Sequence, residues 1–282
     1  MKRLKEPVKA YNNLDFLNSS DARTLRILSE FYEPQARFKK HNIIDTVVFF
    51  GSARLISSKD AKTIIKDLKK QKNQKTRSFK LKLDQAEKLL KMSKYYDDAV
   101  ELSRRLTEWS MNLPLDEKRF IVCSGGGPGI MEAANKGAKK AGGTSVGLNI
   151  SIPMEQFANK YIDPEFVFEF HYFFIRKFWF VYLAKTLVAF PGGFGTLDEL
   201  MEVLTLVQTD KIKKEMKIVI YDSIYWKQII NFDGLIEHGM ISKSDLKFFD
   251  FCDTVDEAFN SITDHFSKHY LINGNGRKTK SK

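Results

Sequence analysis

Short apolar runs alternate along this chain with longer segments whose apolar residues recur every three or four positions. The runs at 46–50, 120–123, 144–150, 166–170, 186–190 and 217–221 are short enough, and rich enough in Val, Ile and Phe, to predict buried parallel strands. The segments at 130–140, 173–184, 197–208 and roughly 255–269 carry helical periodicity. A longer helical pattern covers about 83–109, with Leu89, Leu90, Tyr96, Val100 and Leu106 among its apolar positions, and Ile64, Ile65 and Leu68 predict a short amphipathic helix before it. Near the start, residues 21–32 put Leu25, Leu28 and Tyr32 on one helical face, and Pro34 is expected to end that helix. Strands alternating with helices predict an α/β fold, a Rossmann-like doubly wound parallel sheet with helices on both faces.

Three divisions follow from this pattern: a helical N-terminal extension over 1–44, the α/β domain over 45–268, and a basic, polar tail over 269–282 expected to be disordered. Charge changes the picture at one place. The chain carries a net +11, and residues 57–94 hold twelve Lys and one Arg against Asp60, Asp67, Asp84 and Glu87, a local +9. The basic character therefore belongs to a Lys-rich insertion, read either as a solvated face or as a docking patch for a polyanion. Cys123 and Cys252 are not in a CxxC pair, so a reduced, cytoplasmic setting is expected. The first residues lack the apolar core of a signal peptide. The most apolar stretch, 173–190, is broken by Arg176, Lys177 and Lys185, so no membrane association is expected.

Two glycine-rich segments, Ser124-Gly-Gly-Gly-Pro-Gly129 and Pro191-Gly-Gly-Phe-Gly-Thr196, each leave a predicted strand and open a predicted helix. Such a turn lets backbone N–H groups approach an anion, and the helix N-terminus adds unpaired donors and a favourable dipole. Either loop alone can be a tight turn; two on the same sheet rim point to a phosphorylated ligand. Neither is a GxGxxG fingerprint with an acid about twenty residues on, and neither carries GK[ST], so a dinucleotide and a P-loop nucleotide are both disfavoured.

Glu199 has two readings. Thr196 as N-cap and Glu199 three residues later form a capping-box pattern. Alternatively, Glu199 is a carboxylate beside a phosphate loop, able to stabilise positive charge on a sugar or to orient a water. Arg176 and Lys177 lie in an aromatic stretch just past a strand, where they either snorkel or face an anionic ligand. His265 and His269 have helical metal-ligand spacing but no third ligand, and Cys123 ends a strand as a packed thiol.

Pro191-Gly-Gly-Phe-Gly-Thr-Leu-Asp-Glu199 resembles the PGGxGTxxE signature of the LONELY GUY (LOG) family of nucleotide phosphoribohydrolases, often labelled "lysine decarboxylase". Residues 124–131 resemble that family's earlier glycine motif, and Phe50-Gly-Ser52 the turn after its first strand. The resemblance spans roughly 45–265 and implies hydrolysis of the N-glycosidic bond of a nucleoside 5′-monophosphate, AMP or a cytokinin riboside monophosphate. It implies catalytic roles for Glu199 and Arg176. Substrate contacts fall on Lys177, Gly192, Gly193, Gly195 and Thr196, and on Gly51, Ser52, Gly125, Gly126 and Gly127. Residues 151–156 look like the longer members, and Glu155 matches the family's substrate-contacting acid. The segment Phe173-Phe-Ile-Arg-Lys177 keeps the Arg and Lys of the family's MHERK-like motif but not its Met, His and Glu, which bears on base preference. The family implies a homodimer without metal or organic cofactor. Decarboxylation would need a pyridoxal-bound Lys with an acidic partner, and nothing in the sequence singles one out. Two other readings stay open: a nucleotide or molybdenum-cofactor carrier, against which Glu199 and Arg176 speak, and a nucleic-acid-associated protein using the basic insertion.

Overall fold

The computed structural model describes residues 7–71, 76–114, 119–152 and 157–271. The helices α1 (Leu14–Leu17) and α2 (Arg23–Lys40) precede the first strand, β1 (Thr46–Phe50). Then follow α3 (Ser58–Lys69), α4 (Arg77–Met111), β2 (Ile121–Ser124), α5 (Ile130–Lys140), β3 (Ser145–Ile150), β4 (Val167–Phe170), α6 (Phe173–Tyr182) and β5 (Ala184–Ala189). The chain continues through α7 (Phe194–Gln208), β6 (Lys217–Tyr221), α8 (Ser223–Ile229), α9 (Phe232–Glu237), β7 (Asp250–Cys252) and α10 (Val255–Phe266). The seven strands form one parallel sheet in the order β4-β3-β2-β1-β5-β6-β7. This is the Rossmann-like architecture the alternating pattern predicts.

Parallel strands bury both faces, and the residues of β1 divide accordingly. Val47 and Phe49 join the core under α4, α5 and α10, with Leu102, Leu106, Ala133, Ala134, Ile262 and Phe266. Val48 and Phe50 join the core under α2, α6 and α7, with Phe38, Trp179, Phe180, Leu200 and Val203. The order reverses at the centre of the sheet. The chain runs outward from β1 to β4, then returns to lay β5 on the other side of β1. The carboxyl ends of β1 and β5 therefore diverge into separate loops, the place where open α/β sheets hold ligands.

The Lys-rich segment lies largely in the crossover from β1 to β2. It builds α3 and the first half of the 35-residue α4, tied to the core through Ala61, Phe79 and Ala86 while Lys59, Lys62, Lys66, Lys80 and Lys91 face solvent. No helix among the described residues is long and apolar enough to cross a membrane. The strands at 250–252 and the helices at 223–229 and 232–237 were not predicted. They are short, and their apolar residues show no resolvable period.

The N-terminal helix departs from expectation in two ways. It continues six residues past Pro34, and Leu25, Leu28 and Tyr32 form its exposed face, whereas Ile27, Pro34 and Phe38 turn inward. Proline inside a helix lacks the N–H that would bond the carbonyl four residues back. Here that carbonyl belongs to Glu30, and the indole Nε1–H of Trp179 in α6 donates to it at 3.1 Å. A tertiary hydrogen bond replaces the missing helical one, so the helix need not stop. This compensation is testable. Trp179→Phe should leave the Glu30 carbonyl unpaired, whereas Pro34→Ala returns a backbone N–H to it. In denaturant unfolding, the loss caused by Trp179→Phe should be about 1 kcal/mol smaller in the Pro34→Ala background than alone. Equal losses in both backgrounds would show that the indole does not fill this role.

Candidate active site

Three loops meet where the sheet order reverses, and backbone bonds join them. Ser52 N–H, after β1, donates to Pro191 O at 3.0 Å, and Ile130 N–H, opening α5, donates to Ser52 O at 3.1 Å. The first glycine loop is glycine-rich for reasons of folding. Gly126 and Gly129 sit at φ +74° and +71°, and a Cβ on Gly129 would lie 2.2 Å from Ser52 O. Buried Asn135 braces that loop: its Oδ1 accepts from Ser124 Oγ at 2.7 Å and from Asn159 Nδ2 at 2.9 Å, and the latter also donates to Gly126 O and Gly127 O.

The second loop differs. Helix α7 begins at Phe194, with Gly193 as N-cap and Leu197 N–H to Gly193 O as its first backbone bond. Gly195 and Thr196 therefore belong to the first turn, where amide N–H groups precede the helical ladder and point outward. A Cβ on Gly193 or Gly195 would meet nothing within 4 Å, so neither glycine is required by crowding. Their bare backbone borders open space. Gly192 is the exception, because a Cβ there would lie 2.1 Å from Thr196 Oγ1. Tyr225 Oη on α8 holds this turn by donating to Gly192 O at 2.8 Å.

A cavity of about 700 Å³ opens between these loops. Its polar lining includes Ser52, Arg54, Arg176, Thr196, Asp198, Glu199 and Tyr225. Gly51, Gly125, Gly192, Gly193 and Gly195 also line it. The capping box expected at Thr196 and Glu199 is absent, since Gly193 is the cap and makes no side-chain bond. Glu199 lies a full turn further in, only 6% exposed, and its Oε2 is buried without a hydrogen-bond partner. Burial pushes its pKa from the ordinary 4.5 to about 7, against the pull of Arg176 and Lys177. Arg176 is nearly buried as well. Its Nε donates to Leu148 O at 2.7 Å, its guanidinium lies 4.9 Å from the Phe180 ring centroid, and burial lowers its pKa while Glu199 raises it. A Cβ on Gly125 would stand 2.5 Å from Arg176 Nη2, so the missing side chain there is what lets the guanidinium through.

Not every expected contact is in place. Lys177 does not line the cavity; it binds Asp198 at 2.7 Å and Glu202 at 3.1 Å, knitting α6 to α7. Gly126 and Gly127 do not line it either, and Glu155 lies outside the described residues. Arg54, Leu55, Met92 and Tyr225 line the cavity without having been expected. Only Arg54 carried a signal, as a cation two residues past the Gly51-Ser52 turn; Met92 and Tyr225 arrive from distant helices.

Residues 131–262 match a family described as "Possible lysine decarboxylase". The chain is 25% identical over 184 residues to the cytokinin riboside 5′-monophosphate phosphoribohydrolase LOG3 of Arabidopsis thaliana, covering 64% of this chain and 80% of that one. It is 28% identical over 154 residues to the probable cytokinin riboside 5′-monophosphate phosphoribohydrolase LOGL5 of Oryza sativa subsp. japonica, covering 54% of this chain and 58% of that one. Over these stretches the chain is similar to LOG phosphoribohydrolases. Among solved structures it is similar to the molybdenum cofactor carrier protein of Chlamydomonas reinhardtii, at 20% identity and a TM-score of 0.41 over 62% of this chain and 89% of that one.

The Glu199 environment makes a prediction about stability. Its folded pKa lies above the unfolded value, so between about pH 4.5 and 7 the folded state binds more protons and stability falls as pH rises through that window. Above it the penalty is complete, on the order of 3 kcal/mol. Glu199→Gln removes the charge, so the variant should melt above the parent at pH 8 and lose that advantage by about pH 4.5. Melting curves that differ by the same amount at both pH values would contradict the raised pKa.

Proposed function

We propose that the chain hydrolyses the N-glycosidic bond of a nucleoside 5′-monophosphate, releasing free base and ribose 5-phosphate. One observation carries this reading: a buried carboxylate, Glu199, with an unpartnered oxygen, stands one turn inside a helix whose bare N-terminal amides border the same cavity. The phosphate takes the amides of Gly193, Gly195 and Thr196, where dipole and unpaired donors favour an anion. Its ribose then reaches toward Glu199. Departure of the base leaves an oxocarbenium-like sugar, which a fixed carboxylate stabilises while water adds to the anomeric carbon. Arg176 offsets negative charge on the departing base, and Arg54 is the other cation among the described residues that line the cavity. These described lining residues include no lysine, so the cavity offers no amine for a pyridoxal-dependent decarboxylation.

The phosphoribohydrolase activity for which the plant relatives are named supports this class of substrate. A homodimer fits the same reading. Phe194, 93% exposed, and the half-exposed Phe173 stand at the cavity rim, where a second copy would cover them. Two free, buried cysteines fit a cytoplasmic setting.

Incubation with a panel of nucleoside 5′-monophosphates, followed by chromatography, should release base and ribose 5-phosphate. Glu199→Gln should lower kcat by about 10²–10³. Because the carboxylate must be ionised, kcat/KM should fall as pH drops below about 7. Absence of base release from every nucleotide, or full activity in Glu199→Gln, would refute the proposal.

A further inference from the structure

We propose that Glu30, on the N-terminal helix α2, is a positioning residue for Arg176, so that α2 belongs to the catalytic machinery. The inference rests on the hydrolase reading above and assigns a role to a segment outside the glycine-loop site.

Helix α6 presents Arg176 in its first turn, with Arg176 N–H to Tyr172 O at 3.2 Å as an opening backbone bond. A cation so close to a helix N-terminus opposes the helix dipole. The sequence of α6 does nothing to offset this. Its N-cap, Tyr172, makes no side-chain cap bond, and its first turn contains no acid. Glu30 supplies both missing elements from outside. Its Oε1 accepts from His171 N–H at 2.8 Å and its Oε2 from Tyr172 N–H at 3.1 Å, one carboxylate oxygen for each of the two amides that lead into the helix. The same residue's carbonyl, freed by Pro34, takes Trp179 Nε1–H at 3.1 Å. One residue thus holds α6 at its entry and again six residues beyond its first.

Neighbouring contacts lock the two helices in register. Arg37 on α2 donates to Val167 O of β4 at 2.6 Å, Phe31 lies against Phe178 with ring centroids 5.1 Å apart, and Arg23 lies 5.9 Å from the Tyr172 ring centroid. The guanidinium of Arg176 must pass Gly125 and reach Leu148 O to stand beside Glu199. A first turn left to fray would not hold that line.

The test compares Glu30→Ala and Glu30→Gln with the parent. Glu30→Ala should lower kcat by about tenfold, the scale of a lost helix cap, with a smaller change in KM. Glu30→Gln keeps one acceptor and no charge, so it should fall between. A purely structural loss would leave the pH profile of the surviving activity unaltered. Here the acid limb of kcat/KM, set by Glu199 among Arg176, Lys177, Asp198 and Glu202, should move to higher pH as Arg176 draws away. Hydrogen exchange at the amides of 171–176 should quicken in Glu30→Ala while the sheet amides stay protected. Unchanged kcat and an unmoved limb in folded Glu30→Ala would overturn the proposal. If the parent itself releases no base, the hydrolase reading has failed, and unchanged exchange at 171–176 would separately overturn the role of Glu30.

Discussion

The structure is organised around a carboxylate that is hard to bury. Glu199 is removed from water with one oxygen unpaired, next to a guanidinium that is itself largely desolvated. Attraction between the two offsets part of the cost, and burial still holds the Glu199 pKa well above the ordinary carboxylate range. Holding the pair requires elements from across the chain. The β5–α7 turn sets Glu199, α6 sets Arg176, β3 offers the Leu148 carbonyl, and the glycine at 125 leaves the gap through which the guanidinium passes. Lys177, expected at the ligand, instead joins α6 to α7 through Asp198 and Glu202 and so fixes the spacing between the two helices that carry the pair.

The two glycine loops look alike in sequence and do different work. In the first, positive φ at Gly126 and Gly129 and the closeness of Ser52 O dictate glycine for the fold alone. In the second, Gly193 and Gly195 face open space, and no neighbouring atom forbids a side chain. A residue that the fold does not require, on backbone that borders a cavity, is explained by what approaches it from the other side. That distinction is why the proposed phosphate site is the α7 N-terminus rather than that of α5.

Much of the sheet was legible because its strands are short apolar runs whose neighbours are turns, and 46–50 and 217–221 fall where periodicity puts them. What failed was information carried by tertiary contacts. Pro34 reads as a helix end until Trp179 supplies the missing bond partner for Glu30. Leu25, Leu28 and Tyr32 read as a core face, yet α2 buries the side with Phe38, because the aromatic wall of α6 lies there. Thr196 reads as an N-cap because a local pattern cannot reveal that the cap lies three residues earlier, at Gly193. Of the site, the glycine loops, Arg176 and Glu199 were visible in sequence; Tyr225 and Met92 were not, since α8 and α4 reach the cavity only through the fold.

Under the proposed hydrolysis, the unpaired oxygen of Glu199 is better understood through the reaction than through stability. A carboxylate fully satisfied by hydrogen bonds would be stable in the empty site and would gain little when a cation forms beside it. Catalysis depends on interactions that strengthen in the transition state. Glu199 is poor in hydrogen-bond partners and away from water, which on the proposed mechanism leaves it able to gain from positive charge forming in the cavity. Arg176 limits that deficit enough for the fold to tolerate it, because its charge lowers the cost of ionising the buried carboxyl. With its pKa raised to about 7, the carboxyl is charged only from neutral pH upward, so burial that sharpens its response to a cation also narrows the pH range in which it can act. The same logic explains why the guanidinium must be held so firmly. Were it free to pair directly with Glu199, it would neutralise the carboxylate charge that the proposed mechanism sets against the sugar cation.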